Sequence, residues 1–192
     1  MRSALTSALP KVRALAGTAE AIPLLDSSVD AVVVGQAFHW FNGDAALAEI
    51  HRVLRPGGRL GLIWNVKDES VDWIEQLGGI MESYRGAAPR VASGAWKDAF
   101  ERTSLFTTLE RARFSFLHEA DFAAVVARVT SVSFIASLPA PDFERVVEQV
   151  APQADDVRGD VHAHHDDITL MSCQAIMLSQ WRRTTSVKER GP

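Results

Sequence analysis

The chain has 192 residues, of which 47% are hydrophobic and 23% are charged, as in an ordinary soluble globular protein with one sizeable core. Its net charge of -4 provides no basic surface for a phosphate backbone, so nucleic-acid binding is not expected. No apolar run approaches the ~20 residues that span a bilayer. The single cysteine excludes an internal disulfide and favours a reducing, cytoplasmic compartment.

The N-terminal part of the chain predicts few regular elements. Met1 to Leu9 predicts a short helix that Pro10 ends, and Val12 to Ala16 predicts a strand. Residues 17–28 are rich in Gly, Pro, Asp and Ser and predict a loop.

The stretch from Asp30 to Asn65 predicts one βαβ unit, around which we expect the rest of the chain to be organised. Residues 31–34 form a short valine-rich run that suits a strand buried on both faces. Asn42 can cap the following helix, and Pro56 with Gly57 and Gly58 ends it in a tight turn before a second apolar strand at 60–64. The helix carries an apolar stripe, with several charged residues off it: Leu47, Ile50 and Leu54 on the stripe, and Glu49, Arg52 and Arg55 off it.

The two strands of such a unit are parallel, and ligands of open parallel sheets bind beyond the carboxyl ends of the strands. In this chain those ends are residues 35–40 and 64–67. We therefore expect any functional site to lie there.

The later elements continue an α/β pattern within a domain predicted to cover residues 1–152. They are a helix at Asp68–Arg85, a short helix at Ala95–Arg102, a strand at Leu109–Phe116, a helix from Asp121 through Ile135 and a helix at Asp142–Val150. Residues 153–192 predict a divergent C-terminal segment. It contains a polar acidic stretch, an apolar run at Ile168–Leu178 that fits either a strand or a helix, and a basic tail expected to be disordered.

Four sequence blocks follow one another in the first part of the chain. They are Gly17-Thr18-Ala19-Glu20-Ala21-Ile22-Pro23, Asp26-Ser27-Ser28-Val29-Asp30, Gln36-Ala37-Phe38-His39-Trp40-Phe41 and Arg52-Val53-Leu54-Arg55-Pro56-Gly57-Gly58. In this order and spacing they resemble the middle of a class I S-adenosylmethionine-dependent methyltransferase of the type 11 group. The Phe-His-Trp-Phe sequence is similar to the branch of trans-aconitate methyltransferase-like enzymes. The resemblance covers Met1 to about Val150, and the C-terminal portion matches poorly.

The resemblance implies a Rossmann-like α/β fold with a mostly parallel sheet and flanking helices. Enzymes of this family begin with a strand, a Gly-rich turn and a helix, and this chain contains no G-x-G. We therefore expect the first βαβ to be missing, which leaves an open sheet edge that can pair with another copy or with a different chain. The truncated chain is then expected to be unstable alone and impaired as an enzyme.

The resemblance also implies a binding site for the cofactor S-adenosylmethionine. Two segments are candidates for it: Thr18, Ala19 and Glu20, where the family holds the adenine ring, and Gly35, Gln36 and Ala37, beneath the methionine half. At the second segment a backbone carbonyl can accept from the cofactor's ammonium, whatever the side chain. An ordinary turn is the alternative for the first segment, where the downstream motifs favour the cofactor, and at the second segment a turn must exist in either case.

His39 is the candidate catalytic residue, because an imidazole can act as a general base near neutral pH. Methyl transfer can proceed by positioning alone, so His39 can instead pack the loop or line a pocket. The candidate substrate contacts share the same strand ends: Phe38, Trp40, Trp64 and Asn65. An aromatic wall would also attract a sulfonium by cation–π interaction.

One histidine-rich stretch, residues 162–167, has the composition of a metal site, but its polar surroundings favour a solvated loop, and no metal is expected. Cys173 is predicted to be a buried residue that fills space in the core. The sequence thus predicts methyl transfer from S-adenosylmethionine to a small molecule that offers a carboxylate or a hydroxyl. The alternative is a non-catalytic remnant or an interaction subunit whose sheet edge docks a partner.

Overall fold

The computed structural model describes residues 2–67, 69–160 and 168–180. Its helices are α1 (Arg2–Ala8), α2 (Gly43–Val53), α3 (Asp72–Ser83), α4 (Asp98–Arg102), α5 (Phe122–Thr130), α6 (Ser133–Ala136) and α7 (Ala140–Asp160). Its strands are β1 (Val29–Gly35), β2 (Leu54–Lys67), β3 (Glu110–Ala120) and β4 (Ile168–Gln180), and short 3₁₀ turns lie at Phe38–Trp40 and Ala95–Lys97. The described strands form one sheet in the order β1–β2–β4–β3. The predicted α/β class is confirmed.

The predicted βαβ unit is also confirmed. β1 pairs in parallel with β2, so that Val32 lies opposite Leu60 and Val34 lies opposite Leu62. Asn42 caps the connecting helix α2, because its side-chain oxygen accepts a hydrogen bond from the backbone N–H of Ala45 at 3.4 Å. The apolar side chains of β2 and α2 are buried together in the core, as their periodicity predicts.

β1 is an edge strand among the described strands, and it is not buried on both faces as its sequence predicts. Val32 and Val34 are half-buried, but Val33 is 64% exposed. Within the described sheet only β2 pairs with β1, and the face that carries Val33 stays open to solvent. A valine-rich sequence favours a strand, but burial of both faces needs neighbours that a local pattern does not supply.

The strand predicted at Val12–Ala16 is wrong. These residues form no strand in the structure, and Val12 and Leu15 are exposed. An extended segment satisfies its backbone groups by pairing with a neighbouring strand. None of the described strands pairs with these residues, so the segment runs as an irregular connection to the loop at 17–28.

The chain divides into two compact units, of which the first comprises Met1–Ile63, Arg90–Ala112 and Ile176–Pro192, and the second comprises Trp64–Pro89 and Arg113–Ala175. In the second unit, the apolar faces of α3, α5, α6 and α7 pack against one another. The buried side chains of this core are Ile74, Leu77, Met81, Val125, Val129, Ile135, Val146 and Val150. Ile74, Leu77 and Met81 thus share one face of α3, and Val146 and Val150 share one face of α7.

Several predicted helix boundaries are wrong for local reasons. The helix predicted through Ile135 breaks between α5 and α6, where the hydroxyl of Thr130 donates to the carbonyl of Val126 at 2.8 Å and that of Ser131 donates to Arg128 at 3.0 Å. Such bonds compete with the helical backbone. α3 begins only at Asp72. α7 continues through Pro152 to Asp160, because one proline removes a single helical hydrogen bond and need not end a helix already held by packing.

The C-terminal segment forms the strand β4, which settles the choice between strand and helix for this apolar run. The histidine-rich stretch and the basic tail lie outside the described residues. Within those residues, no helix is both long and apolar enough to cross a membrane. No group of three or more potential metal ligands is found in the same described ranges.

Candidate functional site

The carboxyl end of β1 has an unusual backbone geometry. Gly35 is the last residue of the strand and pairs with Ile63, and Gln36 then adopts a φ of 57° while its N–H donates to the carbonyl of Ile63 at 2.8 Å. Non-glycine residues seldom adopt a left-handed conformation, and those that do concentrate at binding sites. A Cβ added to Gly35 would have no atom within 4 Å, so space is open beside the strand end.

The loop after Gln36 separates buried from exposed aromatic residues. Phe38 is 1% exposed, and its ring lies 5.8 Å from that of Phe41 and 5.2 Å from that of Phe100. Trp40 is 47% exposed, and its ring lies 5.6 Å from the half-buried imidazole of His39. Phe38 therefore belongs to the core beneath the loop, whereas His39 and Trp40 are accessible to a ligand. The assignment of Phe38 as a substrate contact stays a prediction.

Glu20 links the first predicted cofactor segment to the end of the loop that follows β1. Its carboxylate accepts a hydrogen bond from the backbone N–H of Asn42 at 3.0 Å, at the end of the loop that follows β1. Hydrogen bonds from its own backbone N–H, from the N–H of Asn42 and from the Thr18 hydroxyl lower the pKa of Glu20, so the carboxylate is ionised at neutral pH. Glu20 is thereby held against the residue that begins the cap of α2.

The turn that presents these residues is closed by Gly17. A Cβ at this position would lie 2.5 Å from Cδ of Pro23 and 3.0 Å from the carbonyl oxygen of Ala21. Any larger residue would therefore push the segment apart. The first and last residues of the first sequence block are thus in direct contact, which explains why glycine and proline stand at its two ends.

Arg52 of α2 holds the loop at residues 22–26 with its whole guanidinium group. Nη1 donates to the carbonyl of Leu24 at 2.9 Å and to Asp26 at 2.7 Å, and Nη2 donates to the carbonyl of Ile22 at 2.9 Å. Glu49 accepts from Nε and Nη2 of Arg52 at 2.9 and 2.8 Å, and from the N–H of Ile22 at 3.0 Å. This network clamps the loop before β1 onto the helix after it.

A second arginine, Arg55, links the start of β2 to β1. Arg55 donates to both carboxylate oxygens of Asp30 at 2.8 and 2.9 Å. A Cβ on Gly58 would lie 3.1 Å from the carbonyl oxygen of Asp30, so glycine is needed for the chain to pass so close to β1. The first, second and fourth sequence blocks are therefore joined by the contacts of Arg52 and Arg55, and Glu20 links the first block to Asn42, the residue after the third.

The sequence pattern marks Glu49, Arg52 and Arg55 only as residues off the apolar stripe. Arg52 and Arg55 have partners more than twenty residues away in the chain, with Leu24 and Asp26 bound to Arg52 and Asp30 bound to Arg55. The signal available in the sequence was the position of Arg52 and Arg55 inside the fourth block, together with the acidic residues of the second block.

Glu49 makes the clamp sensitive to acid. The side-chain hydrogen bonds from Arg52 and the N–H of Ile22 lower the pKa of Glu49 to about 2, against 4.5 for an ordinary glutamate. A lowered folded-state pKa stabilises the fold above pH 4.5, and this stabilisation is lost as the pH falls toward 2. We expect Glu49→Gln to flatten the dependence of the free energy of unfolding on pH across this range, as followed by urea denaturation.

Glu75→Gln is the matched control, because Glu75 is an exposed residue of α3 and belongs to the other unit. This variant should keep the acid dependence of the wild type. If the free energy of unfolding depends on pH equally in wild type and Glu49→Gln, the hydrogen bonds of Glu49 make no pH-dependent contribution to stability.

The two remaining predicted site residues lie on β2 in the second unit. Trp64 is buried and Asn65 is exposed, in agreement with the alternating faces of a strand. A concavity of about 370 Å³ lies elsewhere, in the first unit, lined by Lys97, Phe100, Glu101, Thr103, Phe106, Thr107, Thr108 and Leu109. None of the predicted site residues lines it, and we place the candidate site at the motif contacts instead.

Residues 1–62, which contain all four blocks, match the family described as a methyltransferase domain, of type 11. The fold is that of Rossmann-like methyltransferases. A protein from Anaeromyxobacter dehalogenans described as a type II methyltransferase shares it with a TM-score of 0.52 at 20% identity, over 86% of this chain and 69% of that one. Residues 1–62 are therefore similar in sequence to a methyltransferase domain, and the chain shares the fold of such proteins.

Two curated relatives extend the similarity beyond the matched domain. The uncharacterized methyltransferase-like protein C25B8.10 of Schizosaccharomyces pombe is 40% identical over 146 residues, which cover 76% of this chain and 57% of the relative. The uncharacterized methyltransferase Rv3342 of Mycobacterium tuberculosis is 40% identical over 150 residues, which cover 78% of this chain and 58% of the relative. The chain thus spans somewhat more than half the length of these relatives.

Proposed function

We propose that this chain serves S-adenosylmethionine-dependent methyl transfer to a small-molecule acceptor that offers a carboxylate or a hydroxyl. The observation that carries the proposal is the hydrogen bond of Glu20 to the backbone of Asn42, at 3.0 Å. It ties Glu20 to the end of the loop that follows β1, and ligands of parallel sheets bind beyond the carboxyl ends of the strands. The similarity to methyltransferases supports the same reading.

The residues present fit part of the cofactor. The open space beside Gly35 and the turned backbone at Gln36 leave room for carbonyl groups to accept from an ammonium. Thr18, Ala19 and Glu20 would hold the adenine, with the Thr18 hydroxyl as a possible acceptor toward its amino group. When bound, S-adenosylmethionine supplies an activated methyl group on a sulfonium.

The acceptor side of the proposed site is formed by His39 and Trp40. The exposed indole of Trp40 offers a face that attracts a cation. His39 would take the proton of a hydroxyl acceptor, whereas a carboxylate acceptor needs no base. Methyl acceptors of the trans-aconitate type carry carboxylates, and we propose an acceptor of this kind. We also propose that the chain works in the cytoplasm.

The second candidate function is an interaction subunit, and the exposed face of β1 favours it. Val33 is 64% exposed on a strand whose other edge is unpaired among the described strands. An apolar edge strand pairs readily with a further strand. In this case the chain associates with a second copy or another chain, and its methyl transfer is impaired or absent.

Charging this edge should reduce self-association. A lysine on an edge strand opposes strand addition because its charge must stay in water. We expect Val33→Lys to shift the chain toward a monomer in sedimentation velocity runs at rising concentration. Val66→Lys is the control, since Val66 is also exposed but lies on β2, which is flanked by strands on both sides. Identical sedimentation of wild type and Val33→Lys would argue against association through β1.

Calorimetric titration with S-adenosylhomocysteine, the product form of the cofactor, tests the proposed function without knowledge of the acceptor. We expect binding by the folded chain, and a dissociation constant raised about tenfold or more by Glu20→Ala, equivalent to at least about 1.4 kcal/mol of binding free energy. Glu144→Ala, on the exposed face of α7, should bind like the wild type. A folded chain that gives no binding heat would reject methyl transfer by this chain and favour the interaction subunit.

A further inference from the structure

The concavity of about 370 Å³ in the first unit has no part in the proposed methyl transfer. The described residues that line it come from two neighbouring stretches. Lys97, Phe100 and Glu101 belong to the helical stretch that contains α4, and Thr103 begins the segment that leads from α4 to β3. Pockets that bind small molecules measure about 300–1,000 Å³. The size of this cavity therefore suits a small ligand.

The helical side of the cavity is held in place by α2. Ala99 of α4 is 3% exposed, and a Cβ added to Gly43 would lie 2.6 Å from the Cβ of Ala99, so the two helices are in close contact. The guanidinium of Arg102 donates to both carboxylate oxygens of Asp44 at 3.1 and 3.0 Å. The side chains that α4 presents to the cavity therefore start from a fixed backbone.

The apolar part of the lining belongs to the core of the first unit. Phe106 is 3% exposed, and its ring lies 5.8 Å from the imidazole of His51 on α2. The half-buried ring of Phe100 lies 5.2 Å from that of Phe38, and Leu109 is also half-buried. Because packing already fixes these side chains, an apolar group can bind against them at little cost in reorganisation.

The cavity also presents two opposite charges. Lys97 and Glu101 both line it, and they lie four residues apart in a continuous helical backbone, which places them on one helix face. Among the ion pairs of the described side chains, none joins these two residues. The ammonium of Lys97 lies instead 5.6 Å from the centre of the Trp96 ring. Lysine before glutamate is the less favourable order for a helical pair, so both charges are available to a ligand.

We propose that this cavity binds a free α-amino acid with an apolar side chain. The carboxylate of the ligand would accept from Lys97, its ammonium would donate to Glu101, and its side chain would pack against the phenylalanine rings. A ligand with a single charge would satisfy only one of the two protein charges. The hydroxyl of Thr103 accepts from the N–H of Leu105 at 3.2 Å and keeps its proton for a further contact to the ligand.

The proposal stands independently of methyl transfer, because none of the predicted cofactor or substrate residues lines the cavity. Threonine methyl signals locate the binding in the unmodified chain. Thr103, Thr107 and Thr108 line the cavity, whereas Thr6 in α1 and Thr130 in α5 do not. We expect L-phenylalanine to shift the signals of the first three and to leave the other two unchanged. If none of the three signals shifts at millimolar L-phenylalanine, the proposal is wrong.

Calorimetric titration of the unmodified chain with simpler ligands tests the class of ligand. Phenylpropionate lacks the ammonium, phenylethylamine lacks the carboxylate, and L-serine lacks the apolar side chain. We expect L-phenylalanine to bind about tenfold or more tightly than each of them, because each has lost one charged contact or the apolar one. Equal affinities for L-phenylalanine and either single-charge compound would overturn the assignment to an amino acid.

Two substitutions test the role of each charge. Lys97→Met should weaken binding of L-phenylalanine about tenfold or more and leave phenylethylamine unaffected, since that compound has no carboxylate. Glu101→Gln should weaken L-phenylalanine to the same extent and leave phenylpropionate unaffected. Both side chains are exposed, so the fold should be kept. Lys11→Met and Glu75→Gln, at exposed positions outside the cavity, are the matched controls. Wild-type affinity for L-phenylalanine in either Lys97→Met or Glu101→Gln would contradict the proposal.

Discussion

Replacing Phe38 with alanine should lower the free energy of unfolding by about 3–5 kcal/mol, the usual cost of removing a buried phenylalanine ring. Phe38 is 1% exposed, and its ring contacts those of Phe41, Trp96 and Phe100. The loss is large against a net stability of about 5–15 kcal/mol for a typical domain. Urea denaturation followed by tryptophan fluorescence measures it.

The neighbouring substitution Trp40→Ala separates the roles of the two aromatic residues. Trp40 is 47% exposed, so its removal should change the free energy of unfolding by no more than about 0.5 kcal/mol. Its effect should fall on ligand affinity instead. The opposite result, a stable Phe38→Ala chain with weakened ligand binding, would indicate that Phe38 lines the substrate pocket, as the sequence predicts.

Arg52→Ala should weaken S-adenosylhomocysteine binding by about 10²-fold, the scale of effect expected when a distant change misplaces a binding group by about 1 Å. The guanidinium holds Ile22, Leu24 and Asp26, and residues 18–20 precede this loop directly. Without the clamp, the adenine side of the proposed site loses its position while Glu20 remains. Calorimetry measures the affinity, and hydrogen exchange of residues 18–26 measures the loosening.

Two further variants make this test specific. Arg52→Lys keeps the charge but loses the planar fork, so it should bind more weakly than the wild type. Arg55→Ala removes an exposed ion pair to Asp30, which is worth at most about 1 kcal/mol, and should leave the affinity nearly unchanged. If Arg52→Ala and Arg55→Ala bind alike, the clamp does not position the site.

The features that the sequence predicts well depend on neighbours in the chain. The Asn42 cap and the apolar stripe of α2 involve residues only a few positions apart, whereas the turn predicted at residues 56–58 lies inside β2. The same holds for the buried face of α3, with Ile74, Leu77 and Met81 at helical spacing. In these cases the local pattern alone determines the element and the face that it buries.

The features that the sequence does not predict depend on distant partners. Val12–Ala16 has the composition of a strand but lacks a described strand beside it, and β1 leaves Val33 exposed for the same kind of reason. The role of Phe38 depends on Trp96 and Phe100, which lie far from it in the chain. The contacts of Arg52 likewise cross from helix to loop, and no periodicity encodes them.

The chemistry of the Arg52 contacts also decides which loop residues are free to vary. Two of its acceptors, Ile22 and Leu24, offer only main-chain oxygens, which any amino acid provides. Substitutions at these two positions should therefore be tolerated, provided that the backbone conformation is kept. Arg52 has no such latitude, since no other side chain presents so many donors in one plane. A survey of natural variants should accordingly find an invariant helix residue facing a changeable loop.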